Sequence, residues 1–191
     1  MGELVKVAII GHSNIPVEFT YPGTEVRCFR MPGLHVLDIS RRGEYRELLA
    51  WRCQLVYLWA GSNDLANGMV ARPIARKILN TATQIRHRTG ARVIIIKIEP
   101  RYCKPGYVAS QTVYNTLARQ INRHLDNWSR PGQIFLQLNG APRHMLDHTG
   151  YHFNTEGKAF VNGLIANSIR QYMESRGLVQ REEEEAQAQG H

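Results

Sequence analysis

The segment LVYLWAGSND, residues 55–64, joins five apolar or aromatic residues to a turn of small and polar ones. A short apolar run of this kind predicts a buried β-strand, and Gly61 marks its end. Asn63 then stands just beyond the point where the strand stops. Three other segments place small or polar residues after predicted strands in the same way: Gly11-His12-Ser13-Asn14, Met31-Pro32-Gly33 and Tyr151-His152-Phe153-Asn154.

The whole chain alternates strand patterns with helix patterns. Five runs rich in β-branched residues predict strands at Val5–Ile10, Val26–Phe29, Leu55–Trp59, Arg92–Ile98 and Ile134–Leu138. Apolar residues at helical spacing predict helices at Glu44–Arg52, Val70–Arg88, Val108–Trp128 and Thr155–Met173. This alternation predicts a three-layer α/β/α fold around a five-stranded parallel sheet, in the flavodoxin-like order 2-1-3-4-5.

Length and composition indicate one domain followed by a polar tail. A chain of 191 residues with 43% hydrophobic content can bury one sizeable core, which we assign to residues 1–177. Residues 178–191 include Glu182–Glu185 and a polar segment from Arg181 onward, so we expect them to be disordered. The three cysteines, Cys28, Cys53 and Cys103, lack the spacing of a disulfide framework or a zinc knuckle and are predicted to be buried or free thiols.

The charge of the chain favours polyanionic partners. Without residues 181–191 the chain carries 23 basic and 12 acidic residues, a formal charge of +11 compared with +8 for the whole. Such an excess is typical of nucleic-acid binding, although a merely soluble basic surface is an equally good explanation because the basic residues are scattered. No apolar run reaches the ~18 residues of a membrane span, so we expect a soluble intracellular protein, cytoplasmic or nuclear.

The predicted fold brings four separated residues to one rim. In an open doubly wound sheet, ligands bind beyond the carboxyl ends of the strands. Ser13 follows the first strand, Gly33 the second and Asn63 the third, while His152 lies in the connection after the fifth. A serine can act as nucleophile, a histidine as its base, and a backbone NH and an amide can hold an oxyanion.

Each of these residues also has a purely structural explanation. Ser13 is a typical N-cap residue, and Gly33 after a proline is typical of a turn. Asn63 with Asp64 can cap a helix, and His152 can be a surface loop residue before the last helix. The joint pattern favours catalysis, because all four chemical roles occur together at predicted strand ends.

Read in order, the four residues spell Ser, Gly, Asn, His, which resembles the SGNH hydrolases, the GDSL-like esterase and lipase superfamily, from about Val5 to Met173. The resemblance implies hydrolysis of a small acyl-ester substrate without a cofactor. Ser13 would attack the ester, and His152 would serve as base and then as acid. The backbone NH groups of Ser13 and Gly33 and the amide of Asn63 would stabilise the oxyanion.

The sequence departs from the family pattern at two places. The first block usually reads Gly-Asp-Ser, whereas His12 stands here before the serine. The last block usually has Asp three residues before the histidine, and that position is Thr149, with Asp147 two residues too early. A Ser/His dyad oriented by Asp147 or by a backbone carbonyl stays possible.

The Gly-His-Ser block on a basic chain resembles the SGNH-type domains of some mobile-element proteins. A competing hypothesis is therefore that the chain has an SGNH-like fold without catalytic activity and serves as a nucleic-acid or protein binding module. The aromatic residues Tyr102 and Tyr107 lie beside Arg101 and Lys104 and would border the same rim. They would line a substrate cleft or stack on nucleic-acid bases.

Other chemistries have less support. The chain has neither a G-x-G-x-x-G nor a P-loop motif, so no nucleotide cofactor is expected. His144, His148 and His152 recur every fourth residue near Asp147, a spacing that suits a metal site on one helical face. Gly150 disfavours a continuous helix there, and no metal is expected.

Overall fold

The computed structural model describes residues 2–102, 110–138 and 143–177. They contain one five-stranded, all-parallel sheet in the order β2-β1-β3-β4-β5. The strands are β1 Val5–Gly11, β2 Thr24–Arg30, β3 Leu55–Trp59, β4 Arg92–Ile96 and β5 Ile134–Leu136. The predicted class and strand order are confirmed, and each strand lies within two residues of its predicted bounds.

Five α-helices accompany the strands in the described residues: α1 Gly43–Ala50, α2 Ser62–Ala66, α3 Ala71–Thr89, α4 Gln111–Trp128 and α5 Thr155–Ser175. The four predicted helices correspond to α1, α3, α4 and α5. Helix α2 and two 3-10 helices, Val36–Arg41 and Arg143–Met145, were not predicted, because elements this short show no helical repeat.

The sheet is buried on both faces. Alternate residues of β1, β3 and β4 pack with α1, α3 and α4 on one side, among them Ala8, Val56 and Ile95. The residues between them, such as Ile9 and Tyr57, pack with α5 on the other side. Double coverage explains why Val93-Ile94-Ile95-Ile96 is continuously apolar.

Gly11 brings the ends of β1 and β3 into close contact. It is paired in register with Trp59, and a Cβ atom at Gly11 would lie 2.1 Å from the Trp59 carbonyl oxygen. Only glycine fits where the two strands approach this closely, and His12 and Ser13 therefore lie next to the end of β3. The same register pairs Gly11 with Arg30 at the end of β2.

Several further expectations can be compared with the described residues. Cys28 and Cys53 are free thiols, and burial raises the pKa of each to about 11. No described helix has the length and apolar character needed to cross a membrane. The predicted tail at 178–191 lies outside the described residues, as do Cys103, Lys104, Tyr107 and the predicted start of α4 at Val108.

Candidate active site

Ser13 and His152 meet at the rim, although 139 residues separate them in sequence. The Oγ atom of Ser13 lies 3.1 Å from Nε2 of His152, within hydrogen-bonding distance. No helix begins at Ser13, because the segment that follows it forms turns. The alternative explanation of Ser13 as a helix N-cap is therefore wrong.

Asn14 joins the loops that carry these two residues. Its Nδ2 donates to the Tyr151 carbonyl at 2.9 Å, and its Oδ1 accepts from the Phe153 backbone NH at 3.2 Å. The two bonds flank His152 on both sides in sequence. Asn14 therefore fixes the distance between Ser13 and His152, a role that the sequence analysis missed.

A hydrogen-bonded turn holds the His152 backbone. Asp147 Oδ1 accepts from the Thr149 backbone NH at 2.8 Å and also from the Thr149 hydroxyl. The Thr149 Oγ1 accepts from the His152 NH at 3.2 Å, and the His152 carbonyl accepts from the Asp147 NH at 2.8 Å. No described residue forms a hydrogen bond with Nδ1 of His152, so Asp147 influences the imidazole through its charge alone.

The surroundings of His152 keep its imidazole neutral. Burial lowers the pKa of His152, Asp147 opposes this, and the cationic Arg101 and Arg30 lower it further, so the net pKa lies below the ordinary value of 6.5. Desolvation raises the pKa of Asp147, but the hydrogen bonds from Thr149 outweigh it and the net pKa is lowered. At neutral pH the site thus holds a neutral base beside an ionised carboxylate.

Gly33 and Asn63 lie together at the rim. Gly33 is the third residue of the turn Met31–Leu34, which is closed by a 3.0 Å bond from the Leu34 NH to the Met31 carbonyl, and its φ of 72° is typical of a type II turn. Asn63 Nδ2 donates to the Leu34 carbonyl at 3.2 Å. The turn and the amide are therefore held to each other.

Arg101 fixes the orientation of the Asn63 amide. Its guanidinium donates to Asn63 Oδ1 at 3.2 Å, so the amide oxygen is occupied, and among the described residues only Leu34 accepts from Nδ2, which has a second hydrogen that can point to an oxyanion. Arg101 is only 6% exposed and lies about 5 Å from the ring centroids of Tyr114 and Tyr151. The sequence analysis placed Arg101 at the rim without this role.

Asp64 connects the Asn63 segment to the segment after Gly33. Its two carboxylate oxygens accept from the backbone NH groups of Val36 at 2.7 Å and Leu37 at 3.2 Å. Burial raises its pKa, although these two bonds oppose the effect. The capping role considered for this pair is found, but Asp64 caps the distant 3-10 helix Val36–Arg41.

A buried polar cluster lies beneath the site. Glu99 Oε2 accepts from the Trp59 indole NH at 2.8 Å, while Glu99 Oε1 lies 3.4 Å from His12 Nε2. Burial alone would raise the pKa of Glu99, but His12 and Arg101 outweigh it and lower the pKa to about 2. The sequence analysis missed Glu99, whose one signal was a carboxylate directly after an apolar strand.

A small cavity of about 250 Å³ adjoins Ser13. Its lining includes Asn14, Arg30, Lys158 and Val161. Tyr102 lies nearby in the described part of the rim, where its NH donates to the Gly150 carbonyl at 2.8 Å. Its predicted contact with a substrate stays a prediction.

The three histidines spaced by four do not share a helical face. His144 lies in the short 3-10 helix Arg143–Met145 and pairs with Glu156 at 3.2 Å, whereas His148 and His152 lie in the turns that follow. The described residues contain no cluster of three side chains that could ligate a metal. The helical metal row considered from the spacing is therefore wrong.

Comparisons by fold find esterases and lipases. A carbohydrate esterase family 3 protein from Talaromyces cellulolyticus matches with a TM-score of 0.68 and 17% identity over 90% of this chain and 99% of that chain. A GDSL-like lipase from Bacteroides thetaiotaomicron matches with a TM-score of 0.67 and 18% identity over 90% and 93%. An acetyl esterase mutant with an acetate ion matches with a TM-score of 0.66 and 18% identity over 90% and 99%.

Comparison by sequence finds no relative, because no family model and no curated protein matches this chain. At identities below 20%, the structural matches describe the fold. The chain therefore has the three-layer fold of the SGNH hydrolase superfamily, the fold shared by GDSL-like lipases, acylhydrolases and carbohydrate esterases.

Proposed function

We propose that this chain is a serine esterase that hydrolyses esters of short acyl groups. The observation that carries the proposal is the 3.1 Å distance between Ser13 Oγ and His152 Nε2. The lowered pKa of His152 supports it, because a neutral imidazole can accept the serine proton at neutral pH. The acetyl esterase of the same fold, whose structure holds an acetate ion, and the cavity beside Ser13 support a short acyl group.

In the first step Ser13 Oγ attacks the carbonyl carbon of the ester, and its proton passes to His152 Nε2. The Asn63 amide and the Gly33 and Ser13 backbone NH groups stabilise the oxyanion. The C–O bond to the alcohol then breaks, and the His152 imidazolium returns the proton to the leaving alkoxide. Water attacks the acyl-serine, again giving a proton to Nε2, and the acid leaves as Ser13 is restored.

The chemistry requires a dyad in which the loop backbone orients the imidazole. In a complete triad an acid holds the second imidazole nitrogen and stabilises the imidazolium. Here the turn around Thr149 holds the His152 backbone, and the Asp147 charge raises the pKa of the ring without a hydrogen bond to it. We therefore expect slower turnover than a complete triad supports.

The test uses a p-nitrophenyl ester of a short acid and a fluorophosphonate probe. The wild type is expected to hydrolyse the ester and to be labelled, and Ser13→Ala should lose both while its circular dichroism spectrum stays unchanged. Ser129→Ala, which changes a surface serine, is the matched control and should retain both. A folded wild type that is neither active nor labelled would instead support the binding-module hypothesis, and chelator-sensitive turnover in Ser13→Ala would support a metal hydrolase.

A further inference from the structure

Helices α3 and α4 form a strongly basic surface away from Ser13. Helix α3 contains five Lys or Arg residues and no Asp or Glu, which gives it a charge unlike that of a balanced solvent-facing helix. Helix α4 adds Arg119 and Arg123 against one acidic residue, Asp126. That carboxylate already pairs with Lys97 at 2.8 Å, so it does not neutralise the arginines.

Three grooves lie along α3, two of them bordered by α4 and the third by the turn at residues 130–133 after α4. Their volumes are about 860, 400 and 330 Å³, and no Asp or Glu is among the described residues that line them. We define the α3–α4 basic seam by the five exposed arginines and one aromatic residue that border the grooves: Arg72, Arg76, Arg86, Arg123, Arg130 and Trp128. Arg130 borders two of the grooves, which makes the seam continuous there.

The arginines of the α3–α4 basic seam lack acidic partners. None of the five forms an ion pair with a described carboxylate, and Arg86 and Arg130 donate instead to neutral oxygens. Elsewhere on the surface Arg41 and Arg170 face Asp38 and Glu174. Guanidinium groups whose charge no described carboxylate neutralises remain available for external anions, phosphate above all.

An aromatic platform lies within the seam. The Trp128 ring stacks on His124 with centroids 4.3 Å apart and planes 10° from parallel. Arg72 and Arg76 lie 5.7 and 5.5 Å from the centroid of the Trp128 ring. Burial, Arg72 and Arg123 lower the pKa of His124, in keeping with a positive local potential. Stacking rings among arginines suit the bases and phosphates of a single strand better than a purely anionic peptide or membrane.

We propose that the α3–α4 basic seam binds single-stranded nucleic acid. Arginines would contact phosphates, and Trp128 with His124 would stack on a base, so recognition would depend little on sequence. The 19 residues of α3 extend over about 28 Å, in the range needed for a site of about 4–16 nucleotides. The inference does not depend on the esterase proposal, because none of these residues belongs to the Ser13 site.

The test measures fluorescence anisotropy of a labelled 20-nucleotide RNA and DNA single strand with the full chain at low and physiological salt. The wild type should bind at low salt and weaken steeply as salt rises. Arg76→Glu/Arg123→Glu should weaken binding at least tenfold. The control Arg41→Glu/Arg170→Glu makes the same change in net charge outside the seam and should change binding less than threefold. Circular dichroism and ester hydrolysis should stay at the wild-type level in both.

Trp128 provides a second, milder test. Trp128→Ala should weaken binding at least threefold, whereas Trp128→Phe, which keeps a stacking ring, should bind nearly as the wild type does. Equal weakening by the seam and control variants would overturn the proposal, since net charge would then explain all binding. Absence of single-strand binding at low salt, or tighter binding to duplexes or phosphatidylserine vesicles, would overturn it as well.

Discussion

His12 Nε2 lies 3.4 Å from Glu99 Oε1, and both side chains are almost completely buried next to the proposed nucleophile. The Asn14 backbone NH donates to His12 Nδ1 at 3.2 Å, which leaves Nε2 as the ring nitrogen that faces the carboxylate. The distance exceeds that of a good hydrogen bond, and the contact is mainly electrostatic. Through His12 and Trp59, Glu99 contacts the ends of β1 and β3.

Glu99→Gln is expected to destabilise the protein by ~1–3 kcal/mol. The Glu99 carboxylate accepts from the Trp59 indole NH and attracts the nearby His12 ring, whereas an amide carries no charge and can turn its NH₂ group toward Trp59 or His12. Because His12 precedes Ser13, we also expect ester hydrolysis to fall by about tenfold. Urea unfolding and steady-state kinetics measure the two effects. Glu25→Gln, at a half-buried position of β2, is the control, and equal stability of the two variants would contradict the role of Glu99.

Arg101→Met is expected to lower kcat by about 10- to 100-fold with little change in KM, because the Asn63 amide loses the donor that orients it. Asn63→Ala should lower kcat by a similar or larger factor. In a double-mutant cycle, adding Arg101→Met to Asn63→Ala should cost little more, since the oxyanion donor is already gone. Independent, multiplicative losses would show that Arg101 acts elsewhere.

The pH dependence of kcat/KM should follow the lowered pKa of His152. A general base must be unprotonated, so activity is lost as the pH falls through its pKa, and a lowered pKa moves that loss below pH 6.5. Arg101→Met should move the acidic limb to higher pH, since Arg101 lowers this pKa. Acylation rates measured between about pH 4 and 8 define the acidic limb of the pH–rate profile. A wild-type limb above pH 6.5 would contradict this electrostatic description.

Gly11→Ala is expected to destabilise the fold by ~1–3 kcal/mol and to disturb Ser13, because the added Cβ would meet the Trp59 carbonyl. Gly163 in α5 provides the matched control, since a Cβ there meets nothing within 4 Å. Gly163→Ala should stabilise the protein by ~0.5–1 kcal/mol, as alanine favours a helix interior. Thermal unfolding of both variants measures the difference, and equal melting temperatures would contradict it.

The apolar runs and the helical periodicity of the sequence predicted the strands and the long helices well. Strand β3, for example, has the predicted bounds, because a strand covered on both faces needs a continuous apolar run. The same periodicity could not predict α2, whose five residues complete barely more than one turn. At the site, the order of motifs predicted that Ser13 and His152 would share a rim.

The polar contacts around the site could not be predicted in this way. Asn14, Glu99 and Arg101 have partners between 38 and 139 residues away, and no local spacing encodes such contacts. His12 departs from the usual carboxylate of its block, and the buried carboxylate of Glu99 faces it from the segment after β4. The missing acid at Thr149 was visible in the sequence, but the bond between Thr149 and Asp147 was not.

Thr149 and Asp147 together determine whether an acid can be restored to the site. The Thr149 hydroxyl donates to Asp147, so Thr149→Asp alone would place two carboxylates side by side and is expected to loosen the turn that holds His152. Asp147→Asn alone should lower kcat about twofold to fivefold, because Asp147 supports the imidazolium only through its charge.

The double variant Thr149→Asp/Asp147→Asn keeps a single carboxylate and moves it to the position of the family's acid. Loss of the acid from a serine triad costs about 10⁴-fold, so partial recovery of its orientation should raise kcat about tenfold or more above Asp147→Asn. The measurement compares kcat and the acidic limb of the pH–rate profile for the wild type, the two single variants and the double variant. Urea unfolding is the control for stability. A gain in kcat with a limb moved to higher pH would show that the new carboxylate engages His152 Nδ1. A stable double variant without either change would show that the loop backbone alone orients the imidazole.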